Sequence, residues 1–401
     1  MSAGTHPSPS TTQRPVIAMI HVVPTPYWLH LHRRIAAEFQ EIDLHVAYTH
    51  DVPEQGWQLD LADDVNAITF GEREPWQPKK PLRITIRELR RAGRVIAWLK
   101  RIRPAAVVLA GYSDAGRVRL IASCRRRGVP LFLHGDSNVH GDRFTGLRQR
   151  VKRFLVRRVV RNCTGVLPFG FAGRKFYLRY GARPEQIFFM PGEPDYSIIG
   201  QVTPEQIERA RRDFRLPAHR RRIVFSGRLI PLKRVADLIE AFTRVAGARP
   251  GWDLTIVGDG PLRAPLEAGV PAHLRERVAW CGFVADPHAL AALYRCGDVL
   301  ALPSDEDAWA LVVNEALAAG MTVVLSDVVG AADDLVRDGV SGRLFPRGDV
   351  AALADALLDV TDPAHLDAYK AQSAIALRQW RDRGDPVNGL RGALRWIGVL
   401  P

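Results

Sequence analysis

Two cations in the second half of the chain stand where a phosphorylated ligand could bind. Gly227 is followed directly by Arg228, and Lys233 comes just before a helical pattern that runs to Phe242. A glycine allows close backbone approach, and a helix N-terminus offers free N–H groups and the positive end of its dipole. Together these groups could bind a diphosphate, although a solvated basic loop has the same composition.

A second segment, Thr255 to Pro261, predicts a strand, a tight turn at Gly258 and the start of a helix. It is similar to a dinucleotide-binding fingerprint but lacks the full G-x-G-x-x-G motif. Asp259 in this turn could equally cap the helix that follows. The segment therefore supports a binding turn only in combination with its neighbours.

The third segment, Pro303 to Gly320, is the most specific. It predicts an acidic loop followed by a helix that begins near Ala310, with Asp307 in the loop and Glu315 in the helix. Carboxylates accept hydrogen bonds from sugar hydroxyls, and the free amides at the start of the helix could meet a phosphate. Alternatively, these acids only complement the helix dipole. This alternative explains the loop acids well and Glu315 less well.

The loop acids Asp305, Glu306 and Asp307 also raise the question of a divalent metal. We predict no metal site, because Arg228 and Lys233 already supply positive charge for a phosphate. Four scattered cysteines and twelve histidines show neither zinc-ligand nor disulfide spacing.

Short apolar runs alternate with helical patterns twice along the chain, which is typical of parallel sheets covered by helices on both faces. The first set of predicted strands is Val16–Val23, Ile42–Tyr48, Ala105–Ala110, Val129–His134, Gly165–Leu167 and Gln186–Met190. The second set is Arg222–Ser226, Asp253–Val257, Val278–Trp280, Val299–Leu302, Thr322–Leu325 and Arg343–Phe345. Because ligands of such sheets bind beyond the carboxyl ends of the strands, the turns after the strands should carry the function.

We therefore predict an α/β fold with two facing, Rossmann-like, doubly wound domains and a cleft between them. The 401 residues exceed what one core accommodates. The expected division is a disordered tail at 1–14, an acceptor-binding domain at 15–195 and a donor-binding domain at 196–384. A last helix, at about 385–399, is expected to pack back on the first domain. The tail lacks the apolar core of a secretory signal.

The ordered motifs resemble the donor domain of retaining glycosyltransferase family four, which has the GT-B fold. The matching pieces, between Val224 and Asp349, are S-G-R-L with a following Lys, I-V-G-D-G-P, C-G-F-V, A-L-P-S, W-A-L-V-V-N-E-A-L-A-A-G and D-G-V-S-G-R-L-F. The first half of the chain fits this family only in its architecture.

The resemblance implies a nucleoside-diphosphate sugar as co-substrate, with no cofactor. Arg228 and Lys233 would grip its diphosphate, Glu315 would accept the ribose hydroxyls and Asp307 would touch the transferred sugar. The resemblance implies further donor-binding positions. Phe283 and Val284 would flank the base, and the others are Gly227, Gly258, Ala308, Trp309, Ala310, Leu311 and Val312.

Three positions depart from the family pattern. Asp307 stands where Glu is usual, and Ala310 where Gly is usual. The first turn reads Pro24-Thr25-Pro26-Tyr27 instead of a glycine-rich sequence. These departures leave the sugar open, and a catalytically inactive relative that only binds the nucleotide is an alternative.

The acceptor is expected on the first domain. His134 and Asp136 lie in a turn that follows a strand, so they are candidates for acceptor or sugar contact, with a simple capping turn as the alternative. The stretches 82–103 and 143–161 are basic and amphipathic, as are helices that lie on anionic membranes. An ordinary helix with its apolar face toward the core is equally compatible with this pattern.

The predicted function is transfer of a sugar to an acceptor hydroxyl, with retention, in cell-envelope polysaccharide or glycolipid synthesis. The expected location is the cytoplasm, at the inner face of the membrane, with a glycan or lipid-linked acceptor. A net charge of +13 attracts nucleic acid, an acidic membrane surface and phosphorylated substrates alike, so the charge does not choose among them. A nucleotide-sugar epimerase of the same architecture is one alternative. A nucleic-acid-binding protein is another, but no motif of that class is present, so we expect no nucleic-acid partner.

Overall fold

The computed structural model describes residues 14–51, 65–71, 82–143 and 145–401. The predicted tail, apart from Arg14, and Phe144 in the second basic stretch lie outside the described residues. Within the described ranges, two six-stranded sheets with parallel strand pairing account for the core.

The first sheet has the strand order β3-β2-β1-β4-β5-β6. Its strands are β1 Val16–His21, β2 Asp43–Tyr48, β3 Ala67–Thr69, β4 Ala106–Ala110, β5 Leu131–Gly135 and β6 Gly165–Pro168. The helices that alternate with them are α1 Pro26–Glu38, α2 Leu82–Ile102, α3 Ala115–Arg126, α4 Gly146–Arg161 and α5 Phe171–Arg179.

The second sheet has the order β12-β11-β10-β7-β8-β9. Its strands are β7 Arg221–Ser226, β8 Trp252–Val257, β9 Val278–Gly282, β10 Val299–Leu302, β11 Thr322–Ser326 and β12 Arg343–Phe345. The helices are α6 Tyr196–Gly200, α7 Pro204–Asp213, α8 Val235–Val245, α9 Arg263–Gly269, α10 Pro287–Tyr294, α11 Leu311–Ala318, α12 Ala332–Leu335 and α13 Val350–Val360. Every residue of β8 and β10 is buried, as expected for strands covered on both faces. The predicted fold class is confirmed.

The chain ends with two long helices, α14 Leu366–Arg383 and α15 Pro386–Trp396. Side chains of α15, including Val387 and Leu390, lie in the same apolar cluster as Ile17 and Leu31 of the first sheet's layer. Arg34 of α1 binds Asp385 at 2.9 Å, and it also binds Glu193. The last helix is thereby attached to the first half of the chain.

The predicted strand Gln186–Met190 is wrong. Gln186 ends a short 3-10 helix, and Ile187 forms a single bridge with Val166. The amides of Phe188 and Met190 donate to Val166 and Pro168 of β6 at 3.2 and 3.0 Å, but the segment does not form a regular strand. Its rings pack toward the C-terminal helices, with Phe188 near Trp396 and Phe189 near Trp380.

The carboxyl ends of the two sheets face each other across a cleft. Asn138, beyond β5, donates to the carbonyl of Ala308, beyond β10, at 2.6 Å. The amide of Phe171, beyond β6, donates to Asp334 at 2.9 Å. Turns after strands of both sheets therefore meet at one place, which is where the sequence directs attention.

Candidate active site

Three glycines shape the floor of the cleft in the second half. The amide of Gly227 donates to Val257 at 2.9 Å, and that of Gly258 donates to Gly282 at 2.8 Å. Gly258 has φ +124°, and a Cβ there would lie 2.0 Å from the Gly227 carbonyl oxygen. Only glycine fits this close approach of neighbouring strand ends. Gly258 thus has a packing role that does not depend on ligand contact.

Lys233 and Asp307 form an ion pair at the centre of the site. Lys233 ends a short 3-10 helix that begins at Pro231. The amide of Asp305 donates to Leu232 at 2.8 Å, which ties the acidic loop to the lysine loop. The side chains of the pair are only 19% and 14% exposed. The ammonium group is thus held in place, largely buried, with its charge partly offset by one carboxylate.

The three loop acids diverge rather than converge. Asp305 lies 3.5 Å from Arg234 and 3.9 Å from Arg347. Glu306 points toward Gly141 of the first half, and only Asp307 meets Lys233. Over the residues that the structure describes, no group of three His, Cys, Asp or Glu side chains is arranged to hold a metal ion.

The helix α11 begins beside this ion pair with its free amides toward the cleft. Ala310 caps the helix in the left-handed region, at φ +69° and ψ +73°. The first backbone N–H groups of any helix have no intrahelical acceptor, so those of Leu311 and Val312 are available to an anion. The departure from glycine at position 310 falls on the residue that bears this strained conformation.

Replacing Ala310 with glycine should stabilise the protein by about 1 kcal/mol, because an L-residue in the left-handed region costs that much. Urea denaturation provides the measurement. Ala371, exposed within α14, is the matched control: glycine there should lower stability by about 1 kcal/mol, since its backbone is helical. A loss of stability in both variants would contradict the strain at Ala310.

Glu315, near the middle of α11, is a buried carboxylate at 8% exposure. The hydroxyl of Tyr27, from the other half of the chain, donates to its Oε1 at 3.2 Å. Burial raises the pKa of Glu315 to about 7, while hydrogen bonds from Tyr27 and Tyr294 act in the opposite direction. Near neutral pH this group is poised between its neutral and charged forms.

The other predicted donor positions divide between surface and interior. Arg228 and Phe283 are exposed at the cleft edge, and Val284 is half-buried. The Trp309 ring is buried against Phe169 and Trp380, so only its backbone is near the cleft. The remaining position, Ala308, uses its carbonyl to bind Asn138.

His134 does not reach the cleft, contrary to our prediction. Its ring is 1% exposed and packs against Trp28 and Phe169, with Nε2 on the Met190 carbonyl at 2.8 Å. Burial lowers its pKa to about 4, so the imidazole is neutral. Strand β5 ends at Gly135, one residue later than predicted, so His134 lies within the strand and points into the core.

Asp136, by contrast, is exposed to solvent within the cleft. Desolvation by the surrounding walls raises the pKa of Asp136, and the nearby charge of Asp307 adds to the shift. The structure thus brings Asp136, Asp307 and Lys233 to one region. The sequence analysis missed Tyr27, Asn138 and Tyr294 as site residues. The turn after the first strand was a usable signal for Tyr27.

The two basic helices differ in how far their apolar side chains are buried. In α2, Ala92, Val95, Trp98 and Leu99 are buried in the core. In α4, Val156 and Val160 are buried in the same core, but four other apolar side chains are exposed by 51–75%, namely Leu147, Val151, Phe154 and Leu155. A groove of about 1120 Å³ runs between α3 and α4 beside this stripe. None of the helices that the structure describes has both the length and the apolar character that crossing a bilayer requires.

The site lies in the part of the chain that matches a family. Residues 220–362 match the family model for glycosyl transferases group 1. A D-inositol 3-phosphate glycosyltransferase of Acidothermus cellulolyticus is 33% identical over 229 residues, which are 54% of this chain and 49% of that protein. An exopolysaccharide phosphotransferase of Streptomyces coelicolor is 30% identical over 171 residues, 40% of this chain and 18% of that protein. The chain spans about half or less of the length of these relatives.

Solved structures are similar over nearly the whole chain. Alr3699/HepE of Anabaena in complex with UDP has a TM-score of 0.69 and 18% identity, covering 96% of this chain and 100% of that one. WaaG, a glycosyltransferase involved in lipopolysaccharide biosynthesis, has a TM-score of 0.66 and 18% identity, with 95% and 100% covered.

The chain has the GT-B fold.

Within this GT-B fold, the family match covers one side of the cleft. Residues 220–362 contain Lys233, Asp307 and Glu315, whereas Asp136 and helix α4 lie outside the match. The family model therefore matches the wall of the cleft that carries Lys233, Asp307 and Glu315.

Proposed function

We propose that this protein is a glycosyltransferase that moves a sugar from a nucleoside diphosphate to an acceptor hydroxyl. One observation carries the proposal: Lys233, Asp307, Glu315 and the start of α11 converge at the cleft. The side chains of the Lys233–Asp307 pair are 19% and 14% exposed. Phosphate, sugar and ribose each find a matching group there. The match of residues 220–362 to glycosyl transferases group 1 supports this reading.

The leaving diphosphate gains negative charge as the bond to the sugar breaks. Lys233 and the first amides of α11 are fixed before the reaction, so they stabilise this charge with little reorganisation, and Arg228 adds a further positive charge at the edge of the cleft. These groups supply the positive charge that a divalent cation would supply elsewhere, and we propose that the step needs no metal. Retention of configuration, by front-face attack, follows the resemblance to family four.

The opposite wall of the cleft would hold the acceptor. Asp136 is exposed there and close enough to Asp307 for their charges to interact. We assign it to a hydrogen bond from the acceptor hydroxyl. His134 has a supporting role beneath it, because its neutral ring fills the core behind the turn.

Product analysis tests the proposed function. The protein is incubated with UDP-, GDP- and ADP-hexoses, with and without total lipid and glycan extracts as acceptors. Release of nucleoside diphosphate with a glycosylated product supports the transferase. Conversion of one nucleotide sugar into another without acceptor would identify an epimerase instead. Binding to duplex DNA at physiological salt, without either reaction, would support the nucleic-acid alternative.

We further propose that α4 lies on an anionic membrane, which would bring a lipid-linked acceptor to the cytoplasmic cleft. Its exposed apolar stripe could insert into the interface. Arginines that flank it are available to anionic headgroups; those lining the adjoining depression are Arg125, Arg150, Arg153, Arg157, Arg158 and Arg161. Each such residue contributes about 1 kcal/mol near an anionic surface.

Vesicle flotation tests this surface. We expect the protein to float with phosphatidylglycerol-containing vesicles and not with pure phosphatidylcholine. The double variant Leu147→Ser/Phe154→Ser should bind at least tenfold more weakly, since burying each side chain is worth about 1.5–3 kcal/mol. Ile86→Ser is the control, because Ile86 is exposed on α2, whose apolar face is in the core. Equal failure to bind both vesicle types would end this proposal.

A further inference from the structure

Tyr27 lies at the start of α1, directly after the turn that follows β1. Thr25 caps α1 by accepting the amide of Trp28 at 3.3 Å, and Pro26 fixes the first position of the helix. This rigid start presents Tyr27 to the facing domain. Its hydroxyl donates to Oε1 of Glu315, a residue 288 positions away in the chain. The start of α1 therefore makes a contact across the cleft.

The contact uses the carboxylate that the proposed function assigns to the ribose. A phenol hydroxyl and a ribose hydroxyl are the same kind of donor to a carboxylate. Glu315 is 8% exposed, so little room remains for further donors while Tyr27 is in place. Beside the bond lies a cavity of about 280 Å³, whose lining includes Tyr27, His30, Asp195, Leu290, Tyr294 and Glu315.

The contact helps to satisfy the buried carboxylate of Glu315. A buried carboxylate needs hydrogen-bond donors, and Tyr27 supplies one from the other half of the chain, beside the one from Tyr294. Burial and the neighbouring Glu315 raise the pKa of Tyr27, so the phenol remains a protonated donor. The neighbouring cross-cleft contact from Asn138 is accepted by the backbone carbonyl of Ala308 and leaves Glu315 untouched.

We propose that Tyr27 competes with the donor ribose for Glu315, so that a nucleotide must displace the tyrosine to bind. This inference rests on the proposed function, because it takes Glu315 as the ribose acceptor. The cost of breaking the Tyr27 bond lowers donor affinity. It also couples donor binding to separation of the two halves at this contact.

Calorimetric titration of the full chain with UDP, GDP and ADP tests the proposal. Tyr27→Phe keeps the ring and removes the hydroxyl, so the nucleotide that binds the wild type should bind this variant about five- to tenfold more tightly. Tyr369→Phe is the matched control. Its hydroxyl also donates to a carboxylate, Asp359, at 2.7 Å, but this bond joins α13 to α14 rather than the two walls of the cleft. We expect no change in that variant.

Unchanged or weaker binding by Tyr27→Phe would overturn the competition, since the phenol would then be shown to hold Glu315 alongside the donor. Tyr27→Leu provides a second variant without the hydroxyl should the phenylalanine form fold poorly, and the same gain in affinity is expected. If Glu315→Ala no longer binds the nucleotide, that result supports Glu315 as the acceptor of the ribose hydroxyls. Absence of nucleotide binding by the wild type would overturn the proposed function itself, and with it this inference.

Discussion

Replacing Lys233 with alanine is expected to lower the turnover of the proposed nucleotide-sugar donor by a factor of about 10²–10³, the usual cost of losing one preorganised donor to a developing negative charge. The physical reason is that Lys233 is held in place by Asp307 before the reaction begins. The loss should fall on kcat more than on KM, because the diphosphate carries more charge in the transition state. Release of nucleoside diphosphate in the steady state is the measurement.

Lys370→Ala is the control for this prediction. Lys370 of α14 also pairs with an aspartate, Asp298, at 3.1 Å. Asp298 lies just before β10, at the end of the sheet opposite the site. Turnover should be unchanged there. The double variant Lys233→Ala/Asp307→Ala removes the unpaired carboxylate as well. If it recovered wild-type turnover, Lys233 would only neutralise Asp307 and the diphosphate role would be wrong.

Glu315→Gln should increase folding stability while weakening donor binding. Burial raises the pKa of Glu315 from its ordinary value of 4.5 to about 7, so the folded state holds its proton where the unfolded state has lost it. Stability contributed by this group therefore falls as pH rises from about 4.5 to 7 and stays low above. Glutamine is neutral throughout, so its advantage should grow from near zero at pH 4.5 to roughly 3 kcal/mol at pH 8.

Urea denaturation at pH 5 and pH 8 measures the stability difference, and nucleotide titration at pH 8 measures affinity. Affinity should fall about 10- to 100-fold, because hydrogen bonds to a charged acceptor contribute about 1.5–3 kcal/mol. Glu240→Gln, at an exposed ion pair on α8, should change neither quantity appreciably. A variant that is less stable at both pH values, or that binds as the wild type does, would contradict the assigned role of Glu315.

Most of the sheet architecture was predictable because parallel strands buried on both faces leave continuous apolar runs. β8 and β10 are such runs, and the turns after them could be located from their ends. Gln186–Met190 has the same pattern but packs its rings against α14 and α15. Those helices lie almost two hundred residues further along the chain, so no local signal could reveal them.

The site was predictable to the extent that its residues are close in sequence to strand ends. Lys233 and Asp307 came from two such ends, and the structure brings them into contact. His134 was misplaced because it was assigned to the turn after the strand, whereas β5 runs on to Gly135 and neighbouring rings enclose the imidazole. The contact of Tyr27 with Glu315 depends on how the two halves face each other, and such a distance is not encoded in either local pattern.

A crystal structure of the protein with bound UDP tests the central claim most directly. The account predicts the diphosphate within hydrogen-bond distance of Lys233, Arg228 and the first amides of α11. The ribose hydroxyls should lie on Glu315, with the Tyr27 hydroxyl moved away. A diphosphate bound elsewhere, with the Lys233 pair and the Tyr27 contact undisturbed, would contradict it.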